Sequence, residues 1–233
     1  MTVKIYEVGG AVRDSFIGRV NNDIDFAVEA GSYSEMRDFI LSTGGTIFLE
    51  TPQYVTIRAK WSPLIGGKKI PCDFTLCRKE SGYSDNRHPD YIEAGTILED
   101  LSRRDFTINA MARDVSTGEI IDPYNGLQDI QDRFIRCVRD ARERFNEDSL
   151  RILRALRFAV TLDFKLVPTV IYAIGELSPL IENVSRDRVR EELTKMFKHN
   201  TVAAMKILYD NFSYVSLSRL FKDDIWLKPT TEQ

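Results

Sequence analysis

The sequence has little of what marks disulfide-rich, zinc-binding and membrane proteins. Three cysteines occur in 233 residues, and Cys72, Cys77 and Cys137 are too scattered for a disulfide framework or a zinc knuckle. We therefore expect buried, reduced thiols. The chain lacks a run of about 18 apolar residues that could span a membrane, and its start, MTVKIYEVGG, lacks the apolar stretch of a secretory signal. These absences predict a cytoplasmic protein without a membrane partner.

The chain as a whole has no excess of basic residues. Its 32 Lys and Arg against 35 Asp and Glu give a formal net charge of −3, which by itself indicates no nucleic-acid partner. The segment 133–157 is different, because its arginines outnumber its acidic residues. This local excess favours a polyanionic partner, with a solvated helical face as the alternative interpretation. The arginines are Arg133, Arg136, Arg139, Arg142, Arg144, Arg151, Arg154 and Arg157.

Hydrophobic patterning divides the chain into a mixed first part and a helical second part. Alternating and short apolar runs predict strands in the first part, and an amphipathic helix is expected in SYSEMRDFILST. Strand signals stop after about residue 140. The sequence thus predicts an α+β fold with one domain at 1–139 and an all-helical domain at 140–233. The predicted strands are VKIYEV, DIDFAVEA, GTIFLE, YVTIRAKW and KKIPCDFTLCR, with a hairpin in DVSTGEIID.

Residues 79–97 are polar, contain Gly and Pro, and show no periodicity, which predicts a long loop. Loops of this length inside a compact domain are usually functional or disordered. His88 lies in this segment. Because a lone histidine in a loop is more often a surface residue than a catalyst, we assign it no role.

In the second part, Asn146 is predicted to cap a helix that runs through LRILRALRFAVTL, with Glu147 and Asp148 in its first turn. No period indicates a repeat protein. Further helices are expected at 168–180, 185–198 and 201–211, with a shorter one at 214–221.

A candidate metal site begins with two aspartates. Asp23 and Asp25 are two positions apart on a predicted strand, so both side chains point to one face, while Ile24 and Phe26 point to the other. Two neighbouring carboxylates are costly unless a cation lies between them, and carboxylate oxygens suit Mg²⁺. On this spacing alone, a solvated strand edge is the alternative.

Gly9 and Gly10 directly follow a predicted strand and open a helix. Glycines at such a point let backbone N–H groups approach a phosphate, although a plain strand-to-helix turn is the alternative. Because Asp23 follows on the next predicted strand, the pattern puts a phosphate cradle beside a metal site. Phosphoryl and nucleotidyl transfer require this combination.

The run GGAVRD…DIDF resembles the signature of the polymerase-β-type nucleotidyltransferases, in particular the class II tRNA nucleotidyltransferases (CCA-adding enzymes) and bacterial poly(A) polymerases. The resemblance predicts a polymerase-β-like head with a small mixed sheet, followed by a helical neck. It also implies addition of CCA to tRNA 3′ ends from CTP and ATP. Four further motifs follow in family order: RRDFTINAMA at 103–112, DPYNGLQDI at 122–130, EDSLRILRALRFA at 147–159 and VSRDRVREEL at 184–193.

The resemblance implies that Asp23 and Asp25 bind two Mg²⁺ ions. These ions would activate the terminal 3′-hydroxyl of the RNA and stabilise charge on the α-phosphate and the leaving pyrophosphate. Asp73, in DFTLCR, fits the family's third acidic position on a neighbouring strand. Either Asp25 or Asp73 would be nearest the attacking hydroxyl.

The same resemblance assigns nucleotide-binding residues in the head. For the arginine pair at 103 and 104, an exposed helix end is the alternative. The triphosphate would be held by Gly9, Gly10 and Arg13. The sugar and the floor of the site would be contacted by Arg104, Asp105 and Asn109.

In the neck, the resemblance implies that Asp148 and Arg151 select the base. At i, i+3 on one helix they would share a face. The aspartate would accept from an exocyclic amine and the arginine would donate to ring acceptors. Cytosine and adenine present that edge pattern, whereas uracil and guanine reverse it. Arg154 and Arg157 would position this helix or contact phosphate. A surface salt bridge is the alternative for the Asp148 and Arg151 pair.

The segment 79–97 resembles the flexible loop with which family members switch from adding C to adding A, which argues against a CC-only enzyme. Family members usually continue into a helical body and tail that grip the tRNA. The resemblance therefore predicts a short form with head and neck only. For substrate recognition, a natural minimal enzyme, homo-oligomerisation, a helper protein and a different RNA all remain open.

Two other functions stay in consideration. An A-only enzyme, either a poly(A) polymerase or an A-adding tRNA nucleotidyltransferase, would share the same motifs, although INAMARD after RRDF looks more like the CCA-adding group. An inactive RNA-binding module of the same fold is the other. The clustered carboxylates weigh against it, because a retired site has no need for them.

Overall fold

The contacts of the protein divide it into two compact units. The first unit contains the chain up to Gly82 and a later segment that ends at Ile130. The second unit contains the chain from Gln131 onwards. The functional division predicted at 139/140 stays a prediction, because compactness does not assign function. The structure, a computed structural model, describes residues 3–21, 23–62, 67–82 and 91–221.

A seven-stranded mixed sheet forms the centre of the first unit. In chain order the strands of this unit are β1 (Lys4–Val8), β2 (Ile24–Glu29), β3 (Thr46–Thr51), β4 (Thr56–Trp61), β5 (Ile70–Leu76), β6 (Arg78–Ser81), β7 (Tyr91–Ala94), β8 (Ala112–Asp114) and β9 (Ile120–Ile121). Of these, β6 and β7 form a separate two-stranded sheet. The sheet order is β3-β4-β5-β2-β1-β8-β9. The pair β2–β5 is parallel and the other neighbours are antiparallel. The helices of this unit are α1 (Gly10–Phe16), α2 (Tyr33–Ser42), α3 (Ile97–Ser102) and α4 (Gly126–Asp132).

The alternation along β2 separates a core face from a face that carries aspartate. Phe26 is buried in a cluster that includes Met36 of α2. Ala27, on the opposite face, belongs to a second cluster with Leu101 of α3. Because side chains alternate along a strand, Asp25 shares the face that α3 covers. The predicted strand and its facing are therefore confirmed.

The loop predicted at 79–97 is wrong at both ends. β6 and β7 pair there as an antiparallel two-stranded ladder, from Arg78 opposite Ala94 to Ser81 opposite Tyr91. Every residue of β7 is exposed, so the ladder depends on backbone hydrogen bonds and leaves no apolar alternation to detect. Residues 83–90, including His88, lie outside the described residues.

Helices make up most of the second unit. α6 supplies much of its core, with Ile152, Leu153 and Leu156 fully or almost fully buried. Within the described ranges, no helix is long and apolar enough to cross a membrane. The helices are α5 (Ala141–Glu147), α6 (Leu150–Leu162), α7 (Pro168–Leu177), α8 (Arg186–His199), α9 (Thr201–Asn211) and α10 (Tyr214–Leu220).

Two predictions for the second unit are wrong in detail. Asn146 lies inside α5 and caps no helix; the cap of α5 is Asp140, whose side chain accepts from the N–H groups of Arg142 and Glu143. Strand structure also continues beyond residue 140, because β10 (Phe134–Ile135) pairs in parallel with β11 (Lys165–Leu166). Two-residue strands are too short to leave a periodic signal.

The three cysteines are free and buried, which confirms the expected buried thiols. Burial raises the pKa of Cys72 to about 11. Burial also raises the pKa of Cys77. Thiols in such surroundings stay protonated at neutral pH and are poor nucleophiles.

Candidate functional site

Two carboxylates lie side by side on the parallel strand pair of the first unit. Asp25 of β2 and Asp73 of β5 are direct register partners. Asp23 precedes β2 and is exposed. Its backbone N–H donates to Oδ1 of Asn21 over 2.9 Å. The structure thus pairs Asp25 with Asp73, and Asp23 lies near enough to Asp25 for its charge to raise the pKa of that carboxyl.

Arg58 of β4 neutralises one of these carboxylates. Its Nε donates to Oδ1 of Asp73 over 2.5 Å and its Nη2 to Oδ2 over 2.9 Å. This is a bidentate pair of guanidinium and carboxylate. The hydrogen bonds to Asp73 raise the pKa of Arg58. Asp73 therefore has a protein cation as partner.

Asp25 lies among charged groups of both signs. Partial desolvation by the surrounding protein raises the pKa of this carboxyl, and the charge of Asp73 raises it further, while Arg104 acts in the opposite direction. Oxygen ligands of this kind fit Mg²⁺, so Asp23 and Asp25 suit the implied cation. Within the described residues, however, no group of three or more His, Cys, Asp or Glu side chains is arranged to hold a metal.

Gly9 brings the backbone close to the carboxylate of Asp25. Its φ of 71° and ψ of −131° suit glycine, because a side chain is strained there. A Cβ at this position would lie 3.3 Å from Nη1 of Arg104 and 3.9 Å from Oδ2 of Asp25. Arg104 follows the C-terminus of α3, and this helix covers the face of β2 that carries Asp25. Packing of α3 thus delivers Arg104 to the strand end.

On the other side of the Gly9–Gly10 turn, Arg13 forms a buried network. Its Nε donates to Oδ1 of Asp14 over 2.8 Å and its Nη1 to Oδ1 of Asn109 over 2.7 Å. Asp14 also accepts from Nδ2 of Asn21 over 2.8 Å. The side chain of Arg13 is 10% exposed. These contacts tie α1 to the second motif; the phosphate contact of Arg13 stays a prediction.

The second and third motifs hold each other in place. Oδ1 of Asp105 accepts from Nδ2 of Asn109 over 3.1 Å, which fixes the turn between them. Oγ1 of Thr107 donates to Oδ2 of Asp129 over 2.6 Å. Gly126 lies so close to this turn that a Cβ would overlap the carbonyl oxygen of Thr107. The third motif therefore supports the second by packing and hydrogen bonding.

The sequence predicted that Asp148 and Arg151 share one helix, and this is wrong: in the second unit Asp148 lies outside the helix that carries Arg151. It ends α5 with an extended backbone, φ −149° and ψ 103°, before α6 begins at Leu150. Its Oδ1 accepts from the N–H of Leu150 over 3.1 Å. Its Oδ2 accepts from Nη2 of Arg188 of α8 over 2.8 Å. Asp148 is thus fixed from two directions.

Arg151 pairs with Glu147 rather than with Asp148. Its Nη1 donates to Oε2 of Glu147 over 2.6 Å and to the carbonyl oxygen of Arg144 over 3.1 Å. Oε1 of Glu147 accepts in addition from Nη2 of Arg144. The glutamate of the E-D-x-x-R motif therefore orients its arginine.

Arg154 and Arg157 both face a buried acid on the neighbouring helix. Nε of Arg157 donates to Oε2 of Glu192, and Nη1 of Arg154 lies 3.8 Å from Oε1 of the same residue. The guanidinium carbon of Arg157 lies 3.9 Å from the ring centre of Phe158. These contacts join α6 to α8.

Sequence reasoning did not identify several charged partners of the candidate residues, among them Arg58, Asp100, Arg188 and Glu192. Asp100 stands three and four positions before Arg103 and Arg104, and this helical spacing was a usable signal. Arg58 and Arg188 reach their partners through tertiary structure, over separations of 15 and 40 residues. No local pattern indicates them.

The mixed sheet, with paired carboxylates beside a glycine turn, matches the fold expected of a polymerase-β-type nucleotidyltransferase. The family described as "Poly A polymerase head domain" matches residues 5–136. The one described as "Probable RNA and SrmB- binding site of polymerase A" matches residues 163–211. The chain belongs to the class II CCA-adding enzyme family and contains its head and neck domains.

Individual relatives support this family assignment. A "CCA-adding enzyme" of Lactococcus lactis subsp. cremoris (strain MG1363) is 41% identical over 192 residues, covering 82% of this chain and 46% of the relative. The crystal structure of Bacillus stearothermophilus CCA-adding enzyme in complex with CTP has a TM-score of 0.75 at 32% identity, over 90% of this chain and 48% of that one.

A tRNA nucleotidyltransferase complexed with a primer tRNA and an incoming ATP analog also has a TM-score of 0.75, at 30% identity, over 96% of this chain and 61% of that one. The chain thus spans about half the length of the curated relatives that it matches.

Proposed function

We propose that the protein is a template-independent RNA nucleotidyltransferase that adds CCA to tRNA 3′ ends from CTP and ATP. The observation that carries this is the placement of Asp25 and Asp73 in register beside Gly9 and Arg104. Further support comes from the relatives, which include CCA-adding enzymes and structures with CTP and with a primer tRNA. A tRNA-processing role agrees with the cytoplasmic location predicted from the sequence.

In the first unit, Asp23 and Asp25 would hold Mg²⁺. The bound metal would supply charge stabilisation for the α-phosphate and the leaving pyrophosphate. Gly9 lets the triphosphate approach the backbone because it has no side chain. Arg104 offers Nη1 toward that point. The buried network of Arg13 keeps the glycine turn in its conformation.

In the second unit, Asp148 and Arg151 would read the base. A carboxylate has about four lone-pair sites, so Asp148 can accept from an exocyclic amine while it remains bound to Arg188. Arg151, oriented by Glu147, would donate to a ring nitrogen or carbonyl. The Glu192 contacts of Arg154 and Arg157 hold α6 in place for this selection.

A second candidate is an A-only enzyme, because the matching family is described by poly(A) polymerase. Both candidates use the same chemistry and differ in the product. For either one, an RNA grip beyond these two units would come from a homo-oligomer, a helper protein or further chain.

The test is incubation with Mg²⁺ and each nucleoside triphosphate, separately and mixed, on tRNA transcripts ending at the discriminator base, at C and at CC. We expect additions that stop at CCA. A tail of A alone, or A on the CC end only, would move the assignment to the A-only enzyme. No incorporation on any end would contradict both and favour an inactive RNA-binding module.

Two substitutions with matched controls separate the two units. Asp23→Ala should lower incorporation by at least about a hundredfold, because transition-state charge loses its partner, whereas Asp38→Ala on the exposed face of α2 should not. Asp148→Ala should relax base choice more than it slows transfer, whereas Asp187→Ala, whose side chain is 93% exposed, should leave base choice intact. Strict C and A selection in Asp148→Ala would refute the base-reading role.

A further inference from the structure

Asp100 of α3 is a buried carboxylate that holds both arginines of the second motif. Its side chain is 1% exposed. Oδ1 accepts from Nε and Nη2 of Arg103 over 3.0 and 2.5 Å. Oδ2 accepts from Nε and Nη2 of Arg104 over 3.2 and 2.9 Å. Each oxygen thus receives two donors from one guanidinium.

The charge of Asp100 is maintained by these arginines. Burial by itself would raise the pKa of this carboxyl, but the guanidinium groups of Arg104 and Arg103 outweigh it and hold the pKa below its usual value. A buried charge needs such partners, because an unpaired one is strongly unfavourable. Asp100 is therefore an anion fixed within the helix, and it restricts two otherwise flexible side chains.

These hydrogen bonds fix the orientation of the Arg104 guanidinium. Asp100 occupies its Nε and Nη2, while Nη1 finds no hydrogen-bond acceptor among the described residues. Nη1 lies 3.3 Å from the point where a Cβ of Gly9 would stand, with Asp25 beyond. The side chain of Arg104 is 20% exposed. One donor group is thus held toward the proposed nucleotide position.

Arg103 connects Asp100 to Glu80 of β6. Its Nη1 donates to Oε1 of Glu80 over 3.2 Å, and this glutamate also accepts from Nε of Arg78 over 2.6 Å. Asp100 therefore has two separable roles: it supports β6 through Arg103 and aims the guanidinium of Arg104.

We propose that Asp100 is a positioning residue for nucleotide binding, which acts by fixing the orientation of Arg104. This inference rests on the proposed function, because it assigns Arg104 to the bound nucleotide. It adds to that function a buried residue whose two carboxylate oxygens accept hydrogen bonds from Arg103 and Arg104. A residue that only stabilised the fold would affect affinity independently of Arg104.

A double-mutant cycle separates the two possibilities. The variants are Asp100→Asn, Arg104→Gln and their combination, with CTP and ATP binding measured by titration calorimetry in Mg²⁺. We expect Asp100→Asn to weaken binding about tenfold, equivalent to about 1.4 kcal/mol, in the wild-type background. In the Arg104→Gln background it should add less than about twofold, since the group through which it acts is gone.

Arg103→Gln is the matched control. It removes the other partner of Asp100, and we expect it to lower thermal stability while CTP affinity stays near that of the wild type. Equal loss of CTP affinity in both Arg104 backgrounds would overturn the proposal, as would unchanged affinity in Asp100→Asn. A wild-type chain that binds neither CTP nor ATP would instead refute the proposed function, and the positioning role with it.

Asp100→Asn leaves a buried amide against two cations, so the melting temperature of every variant is measured first. If Asp100→Asn does not fold, Asp100→Glu decides the question. It keeps the charge and moves the carboxylate by one methylene. Weaker CTP binding in Asp100→Glu supports positioning, and unchanged binding overturns it.

Discussion

Replacing Gly9 by alanine tests how close the backbone must come to the charged site. The residue has φ 71° and ψ −131°, which costs a side-chain-bearing residue about 1–3 kcal/mol. The new methyl group would also lie 3.3 Å from Nη1 of Arg104, which is tighter than an ordinary contact. Asp100 holds this guanidinium from behind, so Arg104 cannot retreat without losing a hydrogen bond.

These two effects have different readouts. Backbone strain lowers thermal stability, by roughly 2–4 °C for each kcal/mol in a chain of this size. Displacement of Arg104 lowers nucleotide affinity, for which we expect about a tenfold loss, given that small misplacements of a positioned group are costly. Thermal melting and CTP titration on the same preparation measure both.

Gly118→Ala is the matched control. Gly118 also has a positive φ, 76°, but a Cβ there meets nothing within 4 Å. It should therefore lose stability by the strain alone, roughly 1–2 kcal/mol, and bind CTP like the wild type. Equal CTP affinity in Gly9→Ala and Gly118→Ala would refute the close-approach argument.

Other predictions concern packing and thiol chemistry. Gly126→Ala should destabilise the fold by at least about 1–3 kcal/mol, because the new methyl group would overlap the Thr107 carbonyl oxygen. Gly175→Ala, in open space on α7, should instead stabilise the fold by about 0.5–1 kcal/mol. Urea denaturation compares the two variants, and equal stability would contradict the overlap. The raised pKa of Cys72, about 11 through burial, leaves almost no thiolate at pH 8, so a disulfide reagent should label native protein slowly and urea-unfolded protein at once. Fast labelling of the native cysteines would be inconsistent with this burial.

The sequence indicates the strand pair of the candidate site because its signals are local. Alternation along DIDF gives the facing of Asp25, and the strand that carries Asp73 follows from its own apolar pattern. The partner of Asp73 did not follow, since Arg58 reaches it through the register of two antiparallel strands, which no single segment encodes. Electrostatic partners of this kind depend on tertiary structure.

The helix break before α6 was missed for a different reason. Neither Gly nor Pro marks it, and Asp148 leaves the helical region through its own extended backbone. The residues from Asn146 to Ser149 are of types common at helix starts, so the pattern predicts a cap about one turn too early. Likewise, β6 and β7 lie at the ends of the predicted loop, and each has only four residues, which is too short to show a clear alternation.

The position of β1 in the sheet has a consequence for how the protein folds during synthesis. One edge of β1 pairs with the nearby β2, but the other waits for β8, and the contact of Glu7 with Arg113 spans 106 residues. At translation rates of ~5–20 residues per second, the second edge stays open for roughly 5–20 s. Throughout that interval the nascent chain exposes an unpaired strand edge, so we expect chaperone dependence to be greatest before Arg113 leaves the ribosome.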